Sequence, residues 1–199
     1  MNTPAHHNIG EETIDLLQRL IALASVNDLT PDSGNEEAAA DLFESFFDGL
    51  PVDIERIEPH PGRTTLIVTL RGTDPLTQPL TFLGHTDVVP VDEKHWTHPP
   101  FAGEISEGSI WGRGSVDMLH LTAAMAVVIR RLAEEVARGG ARPAGTLTFV
   151  AAADEEARGG LGVPWIGEHR ADAFPWDAQL SEMGGAHILG ARGGDSVVV

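Results

Sequence analysis

Apolar residues recur at Ile14, Leu17, Ile21 and Ala24, the spacing of one helix face, so Glu11 to about Ser25 is predicted to be an amphipathic helix. The stretch "VNDLTPDSGN" (Val26–Asn35) breaks that pattern with Pro31 and Gly34. Ser33 or Asp32 can then cap a second helix from Glu36 to Phe47, ended by Gly49 and Pro51. Val52–Ile57, Thr65–Leu70 and Leu80–Leu83 are predicted strands. From Val89 to Gly114 no period holds, and an irregular stretch this long marks a functional loop or a disordered one. Leu119–Ala137 is strongly helical and closes on Gly139-Gly140. Thr146–Ala152 is an apolar run of the kind expected of a buried strand. A short helix over Pro164–Arg170 and strands at Ala178–Ser181 and Ser196–Val199 complete the pattern. Strands alternating with helices predict an α/β layered domain.

At 199 residues and 42% hydrophobic content the chain can build one well-packed core. Its formal charge of −17 repels phosphate backbones, so nucleic acid is not an expected partner. The same acidity solubilises the surface and supplies carboxylates for divalent cations. Cysteine is absent, so any metal must be held by imidazole and carboxylate. No stretch reaches the roughly 20 apolar residues of a membrane span. The polar start "MNTPAHHNIG" has no apolar signal core, so a cytoplasmic location is the expectation, and His6 and His7 read as tail residues.

Candidate chemistry lies in four segments that each follow an apolar or glycine-rich stretch. In "LGHTDVVPVD", His85 and Asp87 share one face of extended chain, so Asp87 can accept the imidazole N–H that does not face a metal. The bland alternative is a pair of turn residues before Pro90. In "GRGSVDM", Asp117 is either the N-cap of the long helix or a carboxylate between two metals. In "ADEEARGG", one of Glu155 and Glu156 can bind metal while its neighbour takes a proton from water, although a solvated acidic cluster accounts for the same residues. Glu182 in "LSEMGG" carries the same ambiguity. No His-Glu-x-x-His, no Gly-x-Ser-x-Gly and no dinucleotide fingerprint occurs, since Asp117 stands where the last glycine of Gly112-Arg113-Gly114 would need a partner.

Taken together, His85-Thr86-Asp87-Val88-Val89-Pro90, Trp96 to Phe101, Trp111 to Met118, Asp154-Glu155-Glu156 and Glu182 with its glycines resemble the M20 family of metallopeptidases, which includes aminoacylases, carboxypeptidases and succinyl-diaminopimelate desuccinylase. The resemblance implies a three-layer α/β/α zinc-peptidase-like catalytic domain with a mixed sheet, C-terminally incomplete. It implies that His85 and Glu182 bind one zinc, Glu156 the other, and Asp117 both, with Glu155 as general base and Asp87 orienting His85. Two Zn2+ per complete site are implied, with Co2+ or Mn2+ as substitutes. The implied activity is hydrolysis of amide bonds in N-acyl amino acids or short peptides. Leu119 and His120 stand where the family commonly has Lys-Gly, and His120 could face the site from the first turn of its helix.

Nothing matches the family's late histidine for the second zinc: His95, His98, His169 and His187 lie in other contexts. The expectation is therefore that residues 1–199 are the N-terminal part of the catalytic domain, without the dimerisation (lid) domain or the C-terminal part, and that the parent protein is a homodimer. Two alternatives stay open: a remnant that binds metal weakly without catalysis, and another di-metal aminopeptidase family. Trp96, Pro99, Pro100 and Phe101 line a substrate cleft or simply pack the loop.

Overall fold

A computed structural model describes residues 8–30, 32–157 and 160–182, together with the backbone of 186–189 and 195–198. His6, His7, Gly184, Gly185 and the side chain of His187 lie outside the described residues. The elements run α1 (Ile9–Ala22), α2 (Glu37–Phe47), β1 (Asp53–Ile57), β2 (Thr65–Leu70), β3 (Leu80–His85), β4 (Glu104–Ser106), β5 (Ser109–Trp111), α3 (Leu119–Ala137), β6 (Leu147–Ala152), α4 (Val163–His169), β7 (Gln179–Leu180), β8 (Ala186–Leu189) and β9 (Asp195–Val198). A 3-10 turn at Glu93–His95 interrupts the long loop.

The main sheet has the order β1-β2-β6-β3-β7. β1 and β2 are antiparallel to each other, β2 is antiparallel to β6, and β6, β3 and β7 are mutually parallel. The mixed sheet and its two covered faces match the expected α/β/α layering. Side-chain alternation divides the core. Leu66, Val68, Phe149 and Ala151 face α1, α2 and α3, with Phe43 edge-on to Phe149 at 5.1 Å. Ile67, Val150 and Ala152 face the other way, against Ile166 of α4 and Phe174. Such two-faced burial explains why β2 and β6 read as apolar runs rather than as alternating strands.

Three expectations need correction. The stretch after Val89 contains a hairpin, β4–β5, turned by Glu107 and Gly108 at φ 52° and 78°, the pair of left-handed residues that a two-residue hairpin loop demands. Neither Ser33 nor Asp32 caps α2. Glu36 occupies that position with its side chain turned inward, while Ser33 Oγ accepts from the Asp28 amide. Strand β8, paired with β9, was not foreseen. No helix among the described residues is long and apolar enough to cross a membrane.

Candidate metal centre

Because β3, β6 and β7 are parallel, their C-terminal ends share one edge of the sheet, the side on which open α/β sheets hold ligands. His85 ends β3 in register with Ala152, which ends β6, and the chain then turns through Asp154, Glu155 and Glu156. Glu182 follows β7 by two residues. Asp117 reaches the same edge from the loop before α3.

His85 is held from all sides. Its amide meets Met118 Sδ at 3.4 Å, and its carbonyl accepts from Thr122 Oγ1 at 2.9 Å. Helix α3 approaches β3 so closely that a Cβ on Gly84 would stand 2.5 Å from Thr122 Oγ1. The ring Nδ1 lies 2.9 Å from the main-chain carbonyl of Asp87 and 3.5 Å from its Oδ1. A carbonyl can only accept, so Nδ1 carries the hydrogen, and Nε2 is left to face the acidic side chains. The nearer acceptor is thus the Asp87 backbone, where the sequence suggested the carboxylate.

Nε2 stands 3.2 Å from Asp117 Oδ1 and 3.8 Å from both Glu155 Oε2 and Glu182 Oε2. One donor atom each of His85, Asp117 and Glu182 lies within 4.8 Å of the others, a group able to hold one divalent cation. Glu156 is outside that group but feels it: burial first, then the charges of Asp117, Asp87 and Glu155, raise its carboxyl above the usual range against the opposing pull of His85. Burial and then a hydrogen bond with Asp117 raise Glu182 likewise. Burial would lower His85, but the hydrogen bond and charge of Asp87, with Glu155 behind it, outweigh burial and push the imidazole up to about 9. Several carboxylates and a protonated imidazole crowded together are what a set of metal ligands looks like when protons stand in for the cation. The donor set, one imidazole and carboxylates without thiolate, fits zinc or another borderline cation.

Behind His85, Asp87 is fully buried, and its carboxylate accepts from Asn27 Nδ2 at 2.8 Å and from the amides of Glu155 and Glu156 at 3.1 and 3.0 Å. Burial alone would raise Asp87, yet these donors and His85 hold it below the usual range. The two amides point there because Asp154 takes a left-handed φ of 59°. Asp154 Oδ1 accepts from Asn27 at 3.0 Å, and its amide donates to Glu36 Oε1 at 3.0 Å. Glu36 pairs with buried Arg63 at 2.7 Å. The sequence pointed to neither Asn27, Glu36 nor Arg63 as part of the site, and placed Asp154 in its acidic motif without a role. Two signals were available: a lone arginine two residues before an apolar strand, and a glutamate at the first position of the predicted second helix.

Asp117 is not the cap of α3; Met118 holds that position without a side-chain cap bond. His120 is half-buried in α3, and the described ligand group does not include it. His98 stacks on Trp111, and His169 stacks on Trp165. His95 contacts Asp92 at the surface. Among the described residues, no second histidine joins the group. Trp96, Pro99, Pro100 and Phe101 line a cavity of about 510 Å³, and a smaller one of about 240 Å³ runs from Trp96 and Trp111 to Asp117. A larger cavity of about 770 Å³ lies across the sheet near Asp53 and Thr148, away from the ligand group.

The profile described as Peptidase family M20/M25/M40 matches residues 81–195, more than half of the chain. Succinyl-diaminopimelate desuccinylase of Caulobacter sp. (strain K31) is 34% identical over 158 residues, covering 78% of this chain and 36% of that protein. Human aminoacylase-1 is 36% identical over 134 residues, covering 67% of this chain and 31% of that protein. Among solved structures, an M20 family metallo-carboxypeptidase, Sso-CP2 from Sulfolobus solfataricus, superposes with a TM-score of 0.66 at 20% identity, covering 87% of this chain and 38% of that one. The chain therefore spans about a third of the length of the curated relatives it matches.

Proposed function

Since the chain belongs to peptidase family M20, we propose that it carries the metal-binding edge of an amidohydrolase acting on N-acyl amino acids or short peptides. The observation that carries this reading is the convergence of His85 Nε2, Asp117 and Glu182 on one point, with Glu155 beside them. The names of the relatives suggest the substrate class: one is a succinyl-diaminopimelate desuccinylase, and another is an aminoacylase.

His85, Asp117 and Glu182 would hold one cation, and Asp117 with Glu156 a second; zinc is the metal we favour from the donor set. Such cations, when bound, supply Lewis acidity that polarises the scissile carbonyl and acidifies a water. Asp87 fixes the His85 tautomer through its carbonyl and steadies the ring through its carboxylate. Glu155 is half-exposed and is not a member of the close ligand group, so it is free to take the water's proton and pass it to the departing amine. The cavity between Trp96, Trp111 and Asp117 offers apolar walls for the substrate's side chain. We read residues 1–199 as the N-terminal part of such a catalytic domain, as the share of the relatives' length supports, with dimer formation assigned to a different domain.

A second reading rests on the single histidine in the described ligand group: this stretch alone holds a metal without turnover. One experiment separates the two. Zn2+ is titrated into the metal-free protein, and release of free amino acid from N-acyl amino acids and dipeptides is followed with and without chelator. Tight binding with chelator-sensitive release supports the hydrolase. Binding without release supports the second reading, and no binding overturns both.

A further inference from the structure

We propose that Arg63 is a positioning residue: through Glu36, Asn27 and Asp154 it holds the 154–156 turn, and thereby sets where Glu155 and Glu156 stand at the metal edge. The inference rests on the roles proposed above for those two glutamates.

The Arg63 guanidinium is almost entirely buried, and its two arms do different work. Nη1 donates to Glu36 Oε1 at 2.7 Å and lies 3.5 Å from Asp154 Oδ1. Nη2 donates to Thr30 O at 2.7 Å, to Asn27 Oδ1 at 3.2 Å and to Ser33 Oγ at 3.2 Å. The contact to Asn27 fixes an amide orientation. With Oδ1 taken by Arg63, the Nδ2 end must point the other way, where it bonds both Asp87 and Asp154. The contact to Glu36 fixes an acceptor, since the same Oε1 receives the Asp154 amide. Asp154 is thus held at amide and carboxylate in a left-handed conformation that costs a non-glycine residue energy. The Glu155 and Glu156 amides then reach Asp87.

A buried ion pair is weak support for stability, because an apolar pair of similar size commonly does as well. What an apolar side chain cannot do is aim donors at five acceptors from one rigid plane. Lysine cannot either, since its point charge lacks the fork. The chain clears space for that plane: a Cβ on Gly34, whose φ is 90°, would stand 2.1 Å from Nη1.

The test is Arg63→Lys in the metal-free chain, read by amide hydrogen exchange. Exchange at Glu155 and Glu156 is compared with Ile67 and Val150 at the centre of the sheet. A merely structural arginine would speed all four together through global opening. A positioning arginine speeds the turn by about tenfold or more relative to the sheet, as local opening does. Co2+ affinity should also fall by about 10- to 100-fold, the range for losing support behind a metal ligand. Uniform acceleration, an unaffected turn, or unchanged Co2+ affinity overturns the proposal. Should Arg63→Lys fail to fold, Glu36→Gln, which keeps shape and acceptor but removes the charge that anchors the fork, is judged by the same comparison. Absence of Co2+ binding by the unsubstituted chain overturns the metal reading instead, and the exchange pattern then decides whether Arg63 holds the turn.

Discussion

Two groups of carboxylates lie on either side of the His85 ring, and they are built in opposite ways. Behind it, Glu36, Asp154 and Asp87 are buried and answered by Arg63, Asn27 and main-chain amides. In front of it, Asp117, Glu155 and Glu182 expose 67%, 52% and 26% of their side chains, and among the described residues all three pair with the His85 ring. The rear group is closed by the chain itself. The front group is left with excess negative charge converging on a point. Residue type alone therefore does not make a metal site; what matters is whether the fold has already balanced the charge.

The largest effect that would sharpen this contrast lies in front. If Glu155 is the general base proposed above, Glu155→Gln should cut the proposed amide hydrolysis by about 10²- to 10⁴-fold, while bound metal measured by atomic emission stays unchanged. Loss of metal together with activity would return Glu155 to the ligands. The next lies behind. Glu36→Leu removes the acceptor shared by Arg63 Nη1 and the Asp154 amide, and should lower unfolding free energy by about 3–5 kcal/mol in denaturant titration. A loss below about 1 kcal/mol would mean the rear group is not closed as described.

A third test uses pH. His85 in the metal-free chain is raised to about 9 from an ordinary 6.5, so protonation favours the folded state. That stabilisation, on the order of a few kcal/mol, is complete below pH 6.5 and is lost as pH rises through 9. The melting temperature of the metal-free chain should fall over that window, and zinc should suppress the fall by taking the proton's place. A flat profile without metal would place His85 outside the field of Asp87. The smallest effect is a sign. Asp117→Asn removes one of several repelling charges, so it should leave the metal-free chain within about 0.5 kcal/mol of the original or raise its stability. The same change should weaken Zn2+ binding. A clear loss of metal-free stability would mean that the front carboxylates, too, are balanced by the chain.

Much of this was legible in the residues. β2 was bounded as observed because its apolar run is flanked by breaks, and α3 because Gly139 ends it. His85, Asp117, Glu155 and Glu182 stood out because each follows an apolar or glycine-rich segment and so falls at an element's end. Of the rear group, Asp87 was legible from its spacing to His85, and the rest was not, for a physical reason. Asn27, Glu36 and Arg63 come from three separate segments, and the local signals there, an arginine shortly before an apolar strand and a glutamate opening a helix, do not say which of them the assembled sheet will bury. The β4–β5 hairpin was missed because Glu-Gly is a weaker turn signal than Asn-Gly, and strands this short carry little periodicity. The expected partner of His85 Nδ1, the Asp87 carboxylate at 3.5 Å, is joined by the Asp87 carbonyl at 2.9 Å, a closer contact set by a backbone bend that residue spacing does not encode.

The parallel register of His85 with Ala152 also has a consequence in time. Closing that pair joins segments separated by the hairpin and the whole of α3, and contacts so distant along a chain form late because the loop's entropy must be overcome first. Glu155 and Glu156, which follow β6, are brought beside His85 by that pairing. An ion held by the proposed centre is therefore expected to bind after the sheet has formed, unlike the zinc that templates a finger. The visible spectrum of added cobalt would instead serve as a clock, turning on only when the centre of the sheet has zipped.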